Sequence, residues 1–434
     1  MHKLSSPPPS SLLRSLLHSK PFTSSFSSPP PNLSSDVEKI YRTLRRLHSS
    51  SSAKLAAALH SLSIPASTLH HPLLLDRVLS RCGPSLLLAL PFLSFASSAP
   101  GFVPSPSLHS SLLRLLSRSR NFSASWSLVD HLRARHPHLV SPDLFVILIR
   151  RFAKSRLVAK AVQVLDEMPH YGCPPDEHVF GCLLDALAKN GAVKEAAKLL
   201  DEMRERFPPK LRYFTSLLYG WCRAGKMDEA KFALVQMKNA GFEPDVVVYN
   251  TLVSGFCSVG KIEDGHELLS EMRKKGCEPN AITYTSLIQA LCVRERMDEA
   301  MRVFVEMRQH ECLPDGVTYS TLIGGFAKCG RIERAYEFLD GMTESGCRPN
   351  PAAYFSIFSA LEKKEDLEQC LELMIRMKRE RCCPDIGVYN TVIRLSCKLG
   401  ELDQAVELWS EMEASGLSPG LDSFVIIIHG FLGQ

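Results

Sequence analysis

Fourteen cysteines and fifteen histidines are the residues of this chain with the widest chemical reach, as nucleophiles, disulfide partners or metal ligands. Their spacing argues against those uses. There is no C-x-x-C pair and no H-x-E triplet, so neither a zinc site nor a deaminase-type metal centre is expected. Cys173, Cys277, Cys312, Cys347 and Cys382 each stand two residues before a proline. Cys222, Cys257, Cys292 and Cys397 share a second equivalent position. Nine of the fourteen therefore follow a period, which points to small, buried or half-buried reduced thiols. Once periodic residues are set aside, no paired carboxylate site, phosphate-cradling glycine loop or nucleophile constellation is left. Asp298 and Glu306 read as solvent-facing helix positions. The expectation is no catalytic residue, no metal and no cofactor.

The period is plainest over 246–315. Residues 246–280 read VVVYNTLVSGFCSVGKIEDGHELLSEMRKKGCEPN, and 281–315 read AITYTSLIQALCVRERMDEAMRVFVEMRQHECLPD. Tyr249 answers Tyr284, Met272 answers Met307 and Pro279 answers Pro314 across 35 residues. A fixed period of this size marks a stacked array of supersecondary units. From residue 142 the register gives eight units: 142–176, 177–210, 211–245, 246–280, 281–315, 316–350, 351–385 and 386–420. The second is one residue short, at Arg206-Phe207-Pro208-Pro209. A ninth begins at Leu421 and carries one helix, whose Phe424, Ile427, Ile428 and Phe431 would face no second helix. A shortened product, or a partner at that face, is expected.

Each unit predicts two helices. In 316–350, Tyr319, Leu322, Ile323 and Phe326 line one, and Ile332, Ala335, Phe338, Leu339 and Met342 line the next. Gly330 is placed to close the first as a left-handed residue, as are Gly191, Gly225, Gly260 and Gly400. Gly346 and Pro349 end the second helix, and Asn350 is placed to cap its successor. A small residue recurs where the two helices must approach: Ala161, Ala196, Ala230, Ala300 and Ala405. The fold class expected is all-α, a right-handed α-solenoid superhelix of tandem helix-turn-helix repeats of 35 residues. A single helix pair cannot bury its apolar face, but a stack can.

The ends differ from the array. Residues 1–35 hold no acid, many serines and prolines, Lys3, Arg14 and Lys20, and leucines at 12, 13, 16 and 17. That composition predicts an organelle transit peptide, with mitochondrion favoured and plastid the alternative. Residues 36–141 read as degenerate helical repeats forming an N-terminal cap. Val37, Ile40 and Leu44 sit at helical spacing, as do Leu112, Leu113 and Leu116, then Leu128 and Leu132. The net charge of +5 and 45% hydrophobic content permit a polyanion partner without demanding one. The longest apolar run, 86–95, contains Pro91 and is too short to span a membrane, so no membrane partner is expected.

The Y-N/T/S-T/S-L-I opening, the D/E-E-A centre and the M-x-x-x-G-x-x-P-D/N close resemble a pentatricopeptide repeat. The likeness is strong over 142–434 and weak over 36–141. The tetratricopeptide repeat, a peptide binder, fits worse because its W-x-x-L-G-x-x-Y signature is absent. The resemblance implies a sequence-specific binder of single-stranded RNA, one base per repeat, acting on organellar transcripts in processing, stability, editing or translation. Processing or editing factors would be further partners. Two alternatives stand beside it: a scaffold binding peptides in the same groove, and an accessory subunit of an organellar ribosome or nuclease.

In that family the base is read by the residue after the tyrosine and by the last residue of the unit. The resemblance therefore pairs Thr215 with Asp245, Asn250 with Asn280, Thr285 with Asp315 and Ser320 with Asn350. An ionised Asp only accepts hydrogen bonds, which suits guanine or uracil, whereas Asn both donates and accepts and suits adenine or cytosine. Ser or Thr in the first slot goes with purines and Asn with pyrimidines, so the implied reading is G, C (or U), G, A. Phe355 with Asp385, Gly181 with Lys210 and Val146 with Asp176 give no base, and Asn390 with Gly420 gives only a pyrimidine. Val247, Ile282 and Val317 are candidates to sandwich bases, or else ordinary core. Lys189, Arg223, Lys328, Lys363 and Lys398, with Lys154 at the same place, would contact phosphate, or else answer the helix dipole. The reading residues also have a plain alternative: Asp or Asn after a proline is a good helix N-cap.

Overall fold

The computed structural model describes residues 33–47, 52–62, 64–65, 68, 71–83, 85–98, 106–118, 122–135, 137 and 140–432. The expected targeting segment falls outside these except for 33–35, which open a helix. The leading helices are α1 Leu33–Arg46, α2 Ser52–His60, α3 Pro72–Cys82, α4 Leu86–Ser98, α5 Pro106–Arg118 and α6 Phe122–Arg135. From residue 142 two helices fill each of the eight units, and one further first helix follows. The first helices are α7 Pro142–Lys154, α9 Glu177–Lys189, α11 Leu211–Arg223, α13 Val246–Ser258, α15 Ala281–Val293, α17 Gly316–Lys328, α19 Pro351–Lys364, α21 Ile386–Lys398 and α23 Leu421–Leu432. The second helices are α8 Val158–Glu167, α10 Val193–Glu202, α12 Met227–Asn239, α14 Ile262–Lys274, α16 Met297–Gln309, α18 Ile332–Glu344, α20 Leu367–Arg379 and α22 Leu402–Ala414. No strand occurs among the described residues. The fold is an all-α solenoid of helical hairpins.

Pro91 sits inside α4 without ending it. No helix among the described residues is long and apolar enough to cross a membrane.

The chain packs as two compact units divided between Gly220 and Trp221, inside α11. In the first, Val37, Ile40 and Leu44 of α1 are buried, as are Leu112, Leu113 and Leu116 of α5 and Leu128 and Leu132 of α6. The shortened connection after α10 is held by Phe207, whose ring stacks on Phe180 with centroids 4.4 Å apart. An offset aromatic pair of this kind adds about 1 kcal/mol to its area burial.

In the second, a continuous core runs from Val253 to Met412 through the five hairpins of 246–420. First helices pack on first helices, and each second helix closes its own hairpin. The approach is close because Ala230, Ala300 and Ala405 stand fully buried where the helices meet, and Ala161 and Ala196 do the same in the first unit. Across three of these hairpins the buried tyrosine of the first helix reaches a carboxylate near the end of the second, Tyr249 meeting Glu271 Oε1 at 3.4 Å, whereas the Tyr284 hydroxyl is buried without a partner. Tyr354 donates to Glu380 Oε2 at 2.5 Å and Tyr389 to Glu411 Oε1 at 2.7 Å. Successive second helices are joined by ion pairs 33 residues apart: Lys231–Asp264 at 2.9 Å, Lys238–Glu271 at 3.1 Å and Arg331–Asp298 at 3.2 Å. Exposed pairs contribute about 0–1 kcal/mol each, so they set register between neighbours more than they stabilise them.

The inter-helix turns need a left-handed residue. Gly191, Gly225, Gly260, Gly330 and Gly400 supply it with φ between 69° and 89°. Where glycine is missing, a side-chain residue takes the same conformation: Arg156, Glu295 and Glu365 at the first turn, Glu311 and Arg381 at the second.

The periodic cysteines are structural. Burial pushes the thiols of Cys222, Cys257 and Cys292 up to about 12, far from the thiolate form. All fourteen are free thiols.

Candidate nucleic-acid interface

The last residue of each central unit lies just before the next first helix, and its side chain caps that helix. Asp245 Oδ1 accepts from Val248 N at 2.9 Å, and Asp315 Oδ1 accepts from Thr318 N at 2.8 Å. Asn350 Oδ1 accepts from Ala353 N at 2.9 Å, and Asn280 Oδ1 from Ile282 N at 3.1 Å and Thr283 N at 3.3 Å. The capping alternative is therefore a fact of the structure. It does not exclude the other. Backbone N–H groups take the oxygen Oδ1 every time, so the cap dictates what the outer atom of each side chain is. In Asp245 and Asp315 it is a second carboxylate oxygen, an acceptor; in Asn280 and Asn350 it is Nδ2, a donor.

The residue after each tyrosine joins these caps. Asn250 Nδ2 donates to Asn280 Oδ1 at 3.2 Å, and Ser320 Oγ lies 3.3 Å from Asn350 Oδ1. Thr285 reaches Asp315 through one intermediary, Thr318: the two hydroxyls are 2.7 Å apart, and Thr318 donates to Asp315 Oδ1 at 2.9 Å. Thr215 lies in the first compact unit, where its hydroxyl donates to Leu211 O at 3.0 Å, and Asp245 lies in the second. Asn250 and Ser320 are half-buried, whereas Thr285 is only 8% exposed. Spacing did not single out Thr283 or Thr318. The available signal was an N-x-x-T or D-x-x-T step across a unit boundary, the pattern of a capping box.

Val247, Ile282 and Val317 are 57%, 60% and 62% exposed, which removes them from the core. Each sits three residues before its unit's first-slot reader, on the first turn of its helix.

The basic stripe is partly engaged. Lys189 pairs with Asp185 at 2.9 Å. Lys328 lies 3.5 Å from Glu295 and donates to Val293 O at 3.3 Å, so it answers the end of α15 as the helix-dipole alternative describes. Lys398 pairs with Glu365 at 2.6 Å. Lys154, Arg223 and Lys363 are exposed.

The outer units are illegible for visible reasons. The slot at Gly181 is filled by the Arg212 guanidinium, which would stand 2.3 Å from an added Cβ, while Lys210 pairs with Glu177. Val146 is buried in the core. Asp176 and Asp385 cap their helices at 2.8 and 3.0 Å, but Phe355 beside Asp385 offers no hydrogen bond. Asn390 Oδ1 is buried with no partner, and Gly420 has no side chain to meet it.

The comparisons identify the repeat itself. A family model described as the PPR repeat family matches 144–189, 209–258, 244–293, 283–328, 317–363 and 384–433, and a PPR repeat model matches 178–206 and 355–382. A putative pentatricopeptide repeat-containing protein of Arabidopsis thaliana is 53% identical over 206 residues, covering 48% of this chain and 32% of the relative. A second from the same plant is 55% identical over 205 residues, covering 47% and 31%. A third, named as mitochondrial, is 30% identical over 214 residues, covering 47% and 35%. The chain thus spans about a third of the length of these curated relatives. Among solved structures, the maize pentatricopeptide repeat protein PPR10 in complex with an 18-nucleotide psaJ RNA element is 19% identical with a TM-score of 0.47, over 99% of this chain and 76% of that one. With repeat models matching well over half of its residues, the chain belongs to the pentatricopeptide repeat family.

Proposed function

We propose that this chain is a sequence-specific binder of single-stranded RNA that reads one base per repeat through units 211–350. The observation that carries the proposal is the double use of the unit-ending side chain. In Asn280, Asp315 and Asn350 one atom, Oδ1, caps the next helix and is also met by the first-slot residue, directly from Asn250 and Ser320 and through Thr318 from Thr285. The second atom takes no hydrogen bond among the described residues, which leaves it a defined hydrogen-bonding sense. A cap alone would not need the contacts between Asn250 and Asn280 or between Ser320 and Asn350. The outward acceptor of Asp245 and Asp315 suits the ring N–H of guanine, and the outward Nδ2 of Asn280 and Asn350 suits the ring acceptor of cytosine or adenine. The implied order is G, C, G, A, with the cap favouring cytosine over uracil at the second place. Exposed Val247, Ile282 and Val317 would lie against base faces, and Arg223, Lys328, Lys363 and Lys398 along the backbone.

The action is occupancy of a transcript rather than catalysis: a bound strand is held open or shielded from nucleases. Relatives named mitochondrial support a mitochondrial transcript as target, with plastid the alternative. The test is a gel shift with short RNAs carrying GCGA or GUGA, shuffled controls and a duplex. Binding is expected to rank GCGA, then GUGA, then shuffled strands. Equal binding to all single strands, or to duplex, sinks the reading.

A further inference from the structure

We propose that Thr283 and Thr318, the third residues of units 281–315 and 316–350, are positioning residues that set the hydrogen-bonding sense of the preceding unit's reading pair. The inference rests on the RNA reading above and assigns a specificity role beyond the two reading residues. Both threonines are fully buried, so they cannot touch a base themselves.

At the boundary between units 246–280 and 281–315, Thr283 Oγ1 accepts from Asn280 N at 3.2 Å and donates to Asn250 Oδ1 at 2.5 Å. A hydroxyl has one proton, and of its two acceptors Asn250 Oδ1 at 2.5 Å is much nearer than Asn280 Oδ1 at 3.3 Å, so the proton goes to Asn250. That pins the Asn250 amide: its oxygen is taken, and one Nδ2 proton goes to Asn280 Oδ1 at 3.2 Å. What Asn250 can still offer is its second N–H, a donor. Without the Thr283 hydroxyl the amide is free to turn end for end, and the pair loses its fixed sense.

At the next boundary the same position works by relay. A carboxylate only accepts, so Thr318 donates to Asp315 Oδ1. The Thr318 oxygen then receives the proton of Thr285, 2.7 Å away. Thr285 is left with lone pairs alone. Two acceptors, Thr285 and Asp315, face the base site, which matches guanine with its ring N–H and amino group. Elsewhere the third residue is Leu144, Val179, Val248, Ala353 or Val388, without a hydroxyl. Tyr213 spends its hydroxyl on Glu177 O at 3.1 Å, and buried Ser423 accepts from Gly420 N at 3.3 Å, where the unit-ending residue has no side chain to orient.

The experiment uses the full chain with Thr283→Val, Thr318→Val and Thr283→Ser. Valine matches threonine in shape and leaves the backbone caps at Asn280 and Asp315 in place. In the RNA-free protein labelled with ¹⁵N-asparagine, the Asn250 side-chain amide is expected to exchange slowly in wild type and Thr283→Ser and fast in Thr283→Val. With single-base series of GCGA, Thr283→Val should cut the cytosine-over-uracil preference at the second base about fivefold, the size of one net hydrogen bond. Thr318→Val should do the same for guanine over adenine at the third. The fourth base, opposite Ser320 and Asn350, should be unaffected. An Asn250 amide indifferent to Thr283→Val overturns the arrangement. Unchanged base preferences, or an equal loss at all four bases, overturn the specificity role. If wild type itself prefers no base, the RNA reading and this role fall together, while the amide signature still decides whether Thr283 orients Asn250.

Discussion

Asp315 caps a helix and, in the proposed reading, faces a base with the same side chain. Its Oδ1 takes both Thr318 N and Thr318 Oγ1, and among the described residues its Oδ2 takes no hydrogen bond. Asp and Asn rank equally as N-caps, so Asp315→Asn should leave the unfolding midpoint nearly unchanged. It replaces an outward acceptor with an outward donor, and the third base preference should move from guanine towards adenine. Asp315→Ala removes both functions and should cost about 1 kcal/mol of stability as well as the preference. Urea melts and single-base binding series on the two variants separate the roles. If Asp315→Asn weakens guanine and adenine together, Asp315 is a cap only. The sequence made Asp315 a candidate for both roles, because its place after a proline and before a helix is visible in the residues alone. The part played by Thr318 was not legible, because it depends on which hydroxyl meets which across 33 residues.

At the scale of the helical hairpin, the period of 35, the turn glycines and the small interfacial residues were readable because each is a local demand repeated in register. Side chains that reach the next unit were not. Arg212 closes the slot at Gly181, and Glu295 holds Lys328, through neighbours 31 and 33 residues away whose meeting depends on how the hairpins stack. The non-glycine turns were also hidden, since nothing in a single Glu announces a left-handed backbone. Glu311 adopts φ 56° at the end of its hairpin and is exposed. For a residue with a Cβ that conformation costs about 1–2 kcal/mol, against a smaller entropic penalty for placing glycine there. Glu311→Gly should therefore stabilise the array by about 0.5–1 kcal/mol, read as a higher urea midpoint at constant slope. A lower midpoint would mean that Glu311 makes a favourable interaction the turn geometry does not reveal.

Across the array, charge is divided by helix. Second helices carry acids and bases that satisfy each other along the stack, as Lys231–Asp264, Lys238–Glu271 and Arg331–Asp298 do. First helices end in the basic stripe, and there two left-handed glutamates intervene: Glu295 holds Lys328 and Glu365 holds Lys398. A lysine already paired contributes less to a phosphate than a free one, because the pair must be broken first. Lys363, in the unit between them, meets no acid among the described residues. Converting both glutamates to glutamine keeps the turns and frees the two lysines. Glu295→Gln with Glu365→Gln should therefore tighten binding to every single-stranded RNA, matched or shuffled, without changing base preference. Each phosphate contact on a single strand adds about 0.7 to the slope of log affinity against log salt, so the slope should steepen by up to about 1.4. Lys328→Ala with Lys398→Ala should weaken all sequences alike and flatten the slope. Binding measured from low to moderate salt decides it. If the glutamine pair leaves the slope where it was, these lysines do not lie along the RNA backbone, and their pairing with Glu295 and Glu365 is only part of the stack.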